Sequence, residues 1–342
     1  MRISGFTRWA LSICVAAAMP AGCGRLQLPI GAPGAMTQAF GNATHAARDT
    51  SWMLPGAKSA DLLYASLSRD DELDVFSYPQ GKLMGTLTGV EAPSGLCTDS
   101  AGDVWVAILH GDYGGGMLEY AHGGTSPIAL LKDPRYPRGC AVDPTTGNLA
   151  VTNNAFSGPG DVAIYKHARG KATLYSVPNM YGYNFCGYDN KGNLFVDGLG
   201  ELSELPKGST TFKNITVDKG VPGGQVQWDG KFITFATFDL SVIYRVKVSG
   251  KTGTVVGVTH LRSVGTQNIS SSWIQATTAL APIGKRSDGI GFWEYPAGGK
   301  SYALLHLGKH ADIFGAAVSL APSLWDDGVR RHGAQLRRWD GT

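Results

Sequence analysis

The sequence is poor in charge. Only 17% of its 342 residues are Asp, Glu, Lys or Arg, and the formal net charge is +3. No strong field toward nucleic acid follows from that balance, so nucleic acid is not expected as a partner. Catalytic signatures are missing as well. The chain has no G-x-S-x-G elbow, no zinc-ligand spacing and no phosphate-binding P-loop. That removes the usual sequence grounds for a serine hydrolase, a zinc enzyme or a nucleotide-dependent enzyme. Cysteine is scarce, at five residues, and the apolar run from Trp9 to Met19 is too short to span a membrane stably.

Glycine, by contrast, is abundant at 47 residues, and hydrophobic residues make up 43% of the chain. Low charge with many glycines and aromatics fits an all-β protein rich in turns. The N-terminus reads as an export signal. Arg2 and Arg8 precede the short apolar run, and Pro20-Ala21-Gly22-Cys23 follows it. Small residues before a Cys resemble the lipobox of bacterial lipoproteins, with Pro20 where that motif prefers Leu. The resemblance implies acylation of Cys23 and a membrane-anchored lipoprotein of the bacterial cell envelope, with plain secretion as the alternative. Residues 1–22 are then the signal peptide and 23–58 a flexible linker rich in Gly, Ala, Pro, Thr and Ser. Residues 59–320 form the folded domain, and 321–342 a basic tail carrying Arg330, Arg331, Arg337 and Arg338.

The domain is a repeat array. A short apolar strand, an Asp-to-Gly turn and a second apolar strand recur, as in Gly139 to Asn153 and Gly95 to Val106. The turn-opening positions are 99, 143, 189, 229, 275 and 319, about 44, 46, 40, 46 and 44 residues apart. This period matches the ~40–50 residues of a propeller blade. A second strand pair with a glycine hairpin follows each first pair, as in Met117 to Leu131. Asp61 to Leu87 supplies three strands without a first, and Gly315 to Leu320 a first strand without followers. The expected fold is therefore an all-β, six-bladed β-propeller with four antiparallel strands per blade, its last blade closed by both termini. Closure removes free sheet edges. Asp99, Asp143, Asp189 and Asp229 share one repeat position. Each is read as a turn residue accepting backbone N–H groups two or three residues later.

The strand, Asp-x-x-Gly-Asn/Asp turn, strand pattern resembles NHL-type repeats and the senescence-marker-protein/gluconolactonase superfamily across residues 61–320. The metal-dependent lactonases of that superfamily place acidic or amide ligands just before the glycine that opens an inner strand. A cation held there polarises the lactone carbonyl. Here those positions hold Ser94, Arg138, Cys186, Gly223 and Phe314. Arg138 would place a cation where the metal belongs. The favoured reading is a non-enzymatic envelope module that binds a glycan, a peptide or an envelope protein at one axial face, with no cofactor. The alternative is a lactonase or esterase dependent on Ca or another divalent cation.

Loops entering the inner strands should line one channel mouth. From these, Arg138, Tyr183 and Asn184 are the first candidates for ligand binding, joined by Asn153 and Asp197 at the outgoing ends of second strands. His310 and Asp312 precede the last inner strand on the same side. Three cysteines remain beyond Cys14 and Cys23. Cys97 lies two residues before its turn Asp, whereas Cys140 and Cys186 lie three before theirs. Alternation of strand faces makes a Cys97–Cys140 disulfide easier than Cys140–Cys186. Three buried thiols are the equal alternative.

Overall fold

The computed structural model describes residues 50–109, 115–133, 135–154, 160–237, 241–262, 271–283, 289–307 and 312–322. The expected signal peptide, Cys23, His310 and nearly all of the basic tail lie outside the described residues. Among the described residues no helix is long and apolar enough to cross a membrane.

The described residues form antiparallel four-stranded meanders. The first sheet contains β1 (Trp52–Met53), β2 (Leu62–Leu67), β3 (Glu72–Ser77) and β4 (Leu83–Thr88). The second contains β5 (Pro93–Thr98), β6 (Val104–Ile108), β7 (Gly116–Tyr120) and β8 (Pro127–Lys132). The third contains β9 (Pro137–Val142), β10 (Leu149–Asn153), β11 (Asp161–Tyr165) and β12 (Thr173–Tyr175). Next come β13 (Cys186–Tyr188), β14 (Leu194–Asp197), β15 (Leu202–Leu205) and β16 (Lys213–Val217). They are followed by β17 (Val226–Trp228), β18 (Ile233–Ala236), β19 (Val242–Ser249) and β20 (Thr252–Arg262). The last meander has β21 (Trp273–Gln275), β22 (Thr278–Ile283), β23 (Gly289–Glu294) and β25 (Ala303–His306), with the short β24 (Gly299–Lys300) between them. Finally β26 (Ile313–Ser319) pairs antiparallel with β2, from Leu62↔Ser319 to Leu67↔Ile313.

Backbone pairing joins these strands into five sheets, because two meanders fuse. The 11-residue β20 pairs with β19 and, on its other side, in parallel with β16 at Thr216↔Thr252 and Val217↔Gly253. At its other end it pairs in parallel with β24 at Leu261↔Gly299. The result is an all-β, propeller-like arrangement.

The repeat chemistry explains the local geometry. Asp99, Asp143, Asp189 and Asp229 each accept the N–H two residues on, at 2.8, 2.8, 2.9 and 2.9 Å. They are turn anchors, and each turn closes through a left-handed glycine, such as Gly102 at φ 82° or Gly192 at φ 85°. Glycine has a second task on four of the first strands, β5, β9, β13 and β26. A Cβ on Gly187 would lie 2.6 Å from the Val226 carbonyl oxygen, and one on Gly139 or Gly315 would lie 2.9 Å from the carbonyl of Asn184 or Ser94. Only glycine lets neighbouring first strands approach this closely. Between β17 and β21 a side chain makes the link. The Gln227 amide donates to Ile274 O and accepts from Ile274 N, both at 2.8 Å.

Buried clusters fill the space between successive sheets. Trp105, Met117 and Leu131 of the second meet Leu149, Val151 and Tyr165 of the third. Leu63, Phe76 and Val318 meet Phe292 and Leu305 of the last meander. Burial of such a side chain contributes roughly 1.5–3 kcal/mol each, so the sheet faces, more than the turns, hold the array together. A disulfide joins Cys97 to Cys140 within the cluster between the second and third sheets, and Cys186 is a buried free thiol.

The chain ends of the array are clasped by polar contacts. His122 meets Ser319 Oγ through Nδ1 at 2.6 Å and the Ala60 carbonyl through Nε2 at 3.0 Å. The Ala321 N–H donates to Asp61 at 2.8 Å. Trp52 to Pro55, at the end of the expected linker and open from sequence to docking on the domain edge or to a loose arm, dock on this sheet with the residues that follow. β1 pairs with β4, and Ala57 in the short helix Pro55–Ser59 is fully buried.

Candidate functional site

Arg138 sits on β9, one residue before the close-approach glycine Gly139. Its guanidinium carbon lies 5.0 Å from the centroid of the Phe314 ring, which belongs to β26. Phe314 in turn meets Phe185 with ring centroids 6.4 Å apart. β26, β9 and the entry to β13 therefore converge here, and their side chains fill the space between first strands. The buried Nε of Arg138 has no hydrogen-bond partner. Burial lowers the pKa of the guanidinium, and the charge of Asp197 opposes that effect.

Asp197, at the end of β14, is fully buried. Its Oδ1 accepts the Phe185 N–H at 2.9 Å, while Oδ2 makes no hydrogen bond of good geometry. Burial pushes its carboxyl well above the usual carboxylate range. The Phe185 amide, Arg138 and the nearby Gly223 and Gly224 amides oppose that rise without cancelling it. Among the described residues Arg138 and Asp197 feel each other's charge without closing into an ion pair. Asn184 adjoins them. It is buried, its N–H donates to the Asp197 carbonyl at 3.1 Å, and its side-chain amide reaches Gly223 O at 3.4 Å.

The other two expected ligand residues lie elsewhere. Tyr183 is fully buried and its hydroxyl accepts the Val177 N–H at 2.7 Å. It closes the loop leading into β13. Asn153 donates to Asp133 at 3.1 Å and to Asp161 at 2.9 Å. Arg135 bridges the same two carboxylates, at 2.8 Å to Asp161 and 3.5 Å to Asp133, and the Tyr165 hydroxyl donates to Asp133 at 3.2 Å. This network ties the second sheet to the third. Asp312 forms an exposed ion pair with Arg69 at 2.7 Å.

Three features of the site were not singled out from sequence as binding residues. Phe314 reads from sequence as an anchor of the closing strand and a departure from the metal-ligand pattern, and the amides of Gly223 and Gly224 carry no side-chain signal. The exposed apolar residues Leu199 and Val221 carry no sequence signal either, because isolated loop hydrophobics are common, whereas Tyr181 lies in one of the loops expected to line the mouth.

Away from this region, Asp99, Asp103 and Glu119 could bring one oxygen each within 4.8 Å of one another. They line a cleft of about 1140 Å³ between the second and third sheets, which also carries Asp143, His167 and Arg169. It lies at the turn ends of the strands, opposite the end of β9 where Arg138 sits.

No family model and no curated protein matches this chain. Solved structures do. A chain of a nidogen/laminin complex superposes with a TM-score of 0.62 at 11% identity, covering 77% of this chain and 100% of its own length. A protein of unknown function from Bacteroides caccae gives 0.57 at 11% identity, covering 76% and 99%. A functionally unknown protein from Desulfotomaculum acetoxidans gives 0.52 at 11% identity, again covering 76% and 99%. These likenesses establish a β-propeller-like fold, which accommodates many activities.

Proposed function

We propose that the chain is a six-bladed β-propeller whose fused nine-stranded sheet counts as two blades, and that it works as a binding module at the axial mouth marked by Arg138. The repeats resemble the NHL and senescence-marker-protein type. In this reading Cys23 carries lipid and holds the module in the cell envelope, and the ligand is a small polar molecule, a glycan or a segment of another envelope protein. The observation that carries the reading is the buried Nε of Arg138, which has no hydrogen-bond partner, beside the buried Asp197 carboxyl, whose Oδ2 makes no hydrogen bond of good geometry. Buried polar groups are almost always partnered, and leaving them unmet costs about 1–3 kcal/mol each. A ligand that met both would recover that cost on binding. The nidogen neighbour comes from a complex with another protein, which accords with a propeller used for recognition.

Native mass spectrometry of the full chain and of Arg138→Ala, each purified from its envelope, tests this reading. The parent is expected to carry a small molecule or partner that the variant loses. Hydrolysis of gluconolactone that is abolished by a chelator and retained by Arg138→Ala would instead establish the cation-dependent hydrolase.

A further inference from the structure

We infer that His122 is a pH-sensitive clasp. Its doubly protonated ring completes a hydrogen-bond chain that locks both ends of the array onto the second sheet, and loss of one ring proton breaks a link in that chain.

The proton count requires the charged ring. One link joins the Ala60 carbonyl to His122 Nε2 at 3.0 Å, a second joins His122 Nδ1 to Ser319 Oγ at 2.6 Å, and a third joins Ser319 Oγ to the Gly102 carbonyl at 2.5 Å. The two terminal groups are carbonyls, which only accept. Three links between two acceptors need three hydrogens. A neutral imidazole supplies one and the serine hydroxyl another. With Nε2–H on Ala60, the single hydroxyl proton goes either to Nδ1 or to Gly102. The link left over then sets one lone pair against another. An imidazolium supplies the missing hydrogen: Nε2–H donates to Ala60, Nδ1–H to Ser319, and the hydroxyl to Gly102.

The surroundings act on this charge from several elements. His122 and Ser319 are both buried. Burial pushes the pKa of the ring down, against the Ala60 carbonyl, Asp61, Asp103 and the Ala57 carbonyl. Asp61 leads into β2, and Asp103 precedes β6 and accepts the backbone N–H of His122 at 3.2 Å. Tyr64 on β2 accepts the Gly123 N–H at 3.0 Å, and burial pushes its hydroxyl up to about 12, so it stays neutral. Lys58, in the short helix beside Gly123, is exposed. The Ser319 link joins the groups that favour the charge, because removing the ring proton leaves two lone pairs facing at 2.6 Å. That link decides the balance for the imidazolium.

The clasp sits where a loosened link would be felt. Ala60 leads into β2, Ser319 ends β26, and Gly102 and His122 belong to turns of the second sheet. The same seam holds Thr98 Oγ1 donating to Val318 O at 3.3 Å. A Cβ on Gly102 would lie 2.5 Å from the Leu320 carbonyl.

The test follows the histidine ring signals of the full chain by NMR from about pH 5 to 9, the range that spans histidine titration. His122, identified as the signal missing from His122→Gln, should titrate above about 7.5, against about 6.5 for a free histidine. Ser319→Ala removes the link that needs the third hydrogen, so the same ring should fall below about 6.5, where burial governs it. A raised folded-state pKa gives stability that is present below the unfolded value and lost as pH rises through the folded one. The urea midpoint of the parent should therefore exceed that of Ser319→Ala by more at about pH 6 than at about pH 9. No histidine ring above about 7.5 in the parent would overturn the proposal, and that result needs no variant. A high value unmoved in Ser319→Ala would overturn it too, since Asp61 and Asp103 would then hold the charge without the chain.

Discussion

Replacing Asp229 by Ala should destabilise the array far more than a turn residue normally would. Oδ1 accepts the Lys231 and Phe232 N–H groups at 2.9 and 2.7 Å, which is ordinary turn chemistry. Oδ2 accepts from Arg245 Nε at 2.6 Å and from the Tyr295 hydroxyl at 2.7 Å. Arg245 stands on β19 and Tyr295 follows β23, so one carboxylate joins two neighbouring meanders. Its side chain is wholly buried, and that of Arg245 is 20% exposed. Breaking a buried pair by removing one partner costs about 3–5 kcal/mol. Arg245 reaches some water, so about 2–4 kcal/mol is the reasoned figure. For a domain this large that lowers Tm by roughly 5–12 °C.

The pH dependence supplies a second check on Asp229. Burial alone would raise its pKa, but hydrogen bonds from Tyr295, Phe232, Arg245 and Lys231 outweigh burial and hold it below the usual range. A depressed folded-state pKa gives stability that is present above the unfolded value, about 3.9, and lost as pH falls through the folded one. The gap between the parent and Asp229→Asn should therefore be full at pH 7 and shrink below about pH 4. Urea unfolding at both pH values measures it. A variant within about 0.5 kcal/mol of the parent at pH 7, the level of an ordinary surface substitution, would refute the reasoning.

Two further outcomes follow from the close packing of the array. Gly187→Ala should cost about 1–3 kcal/mol, because its Cβ would lie 2.6 Å from the Val226 carbonyl and one strand must shift; thermal unfolding indistinguishable from the parent would contradict that close approach. Exchanging Cys97 and Cys140 for Ala should cost up to about 4 kcal/mol on a chain-entropy basis, given their separation of 43 residues. Non-reducing peptide mapping should first find the linked pair in exported protein, and two free thiols there would remove the premise.

Much of the architecture was legible because the repeat is built from backbone requirements. An Asp that caps a turn and a glycine that must adopt positive φ leave their signature at fixed offsets, as at Asp189 and Gly192. The pairing of β26 with β2 was legible too, since Asp61 to Leu87 lacks a first strand and Gly315 to Leu320 lacks the others. The long reach of β20 was not. Its parallel pairing depends on where neighbouring strands end in space, which no local residue pattern encodes. The site shows the same division. Strand-end positions pointed to Arg138, Asn184 and Asp197. They pointed equally to Asn153 and Tyr183, because position alone does not reveal that Asp133, Asp161 and the Val177 backbone already engage those two.

The lacing of the sheets by β20 bears on how the mouth can adjust. β13 to β20 form one continuous backbone ladder, and β24 pairs with the C-terminal end of β20 in its middle. Asp197 belongs to that stiff plate. Arg138 belongs to the third sheet, whose hydrogen bonds to the plate among the described residues run through side chains, including Thr152 Oγ donating to Asn184 O at 2.8 Å and the Cys186 thiol against Ala150 O. The spacing between the two unmet groups is therefore spanned by a soft joint, while each group rests on a rigid support. The mouth is a caliper, and its jaw width is set by packing at a single seam.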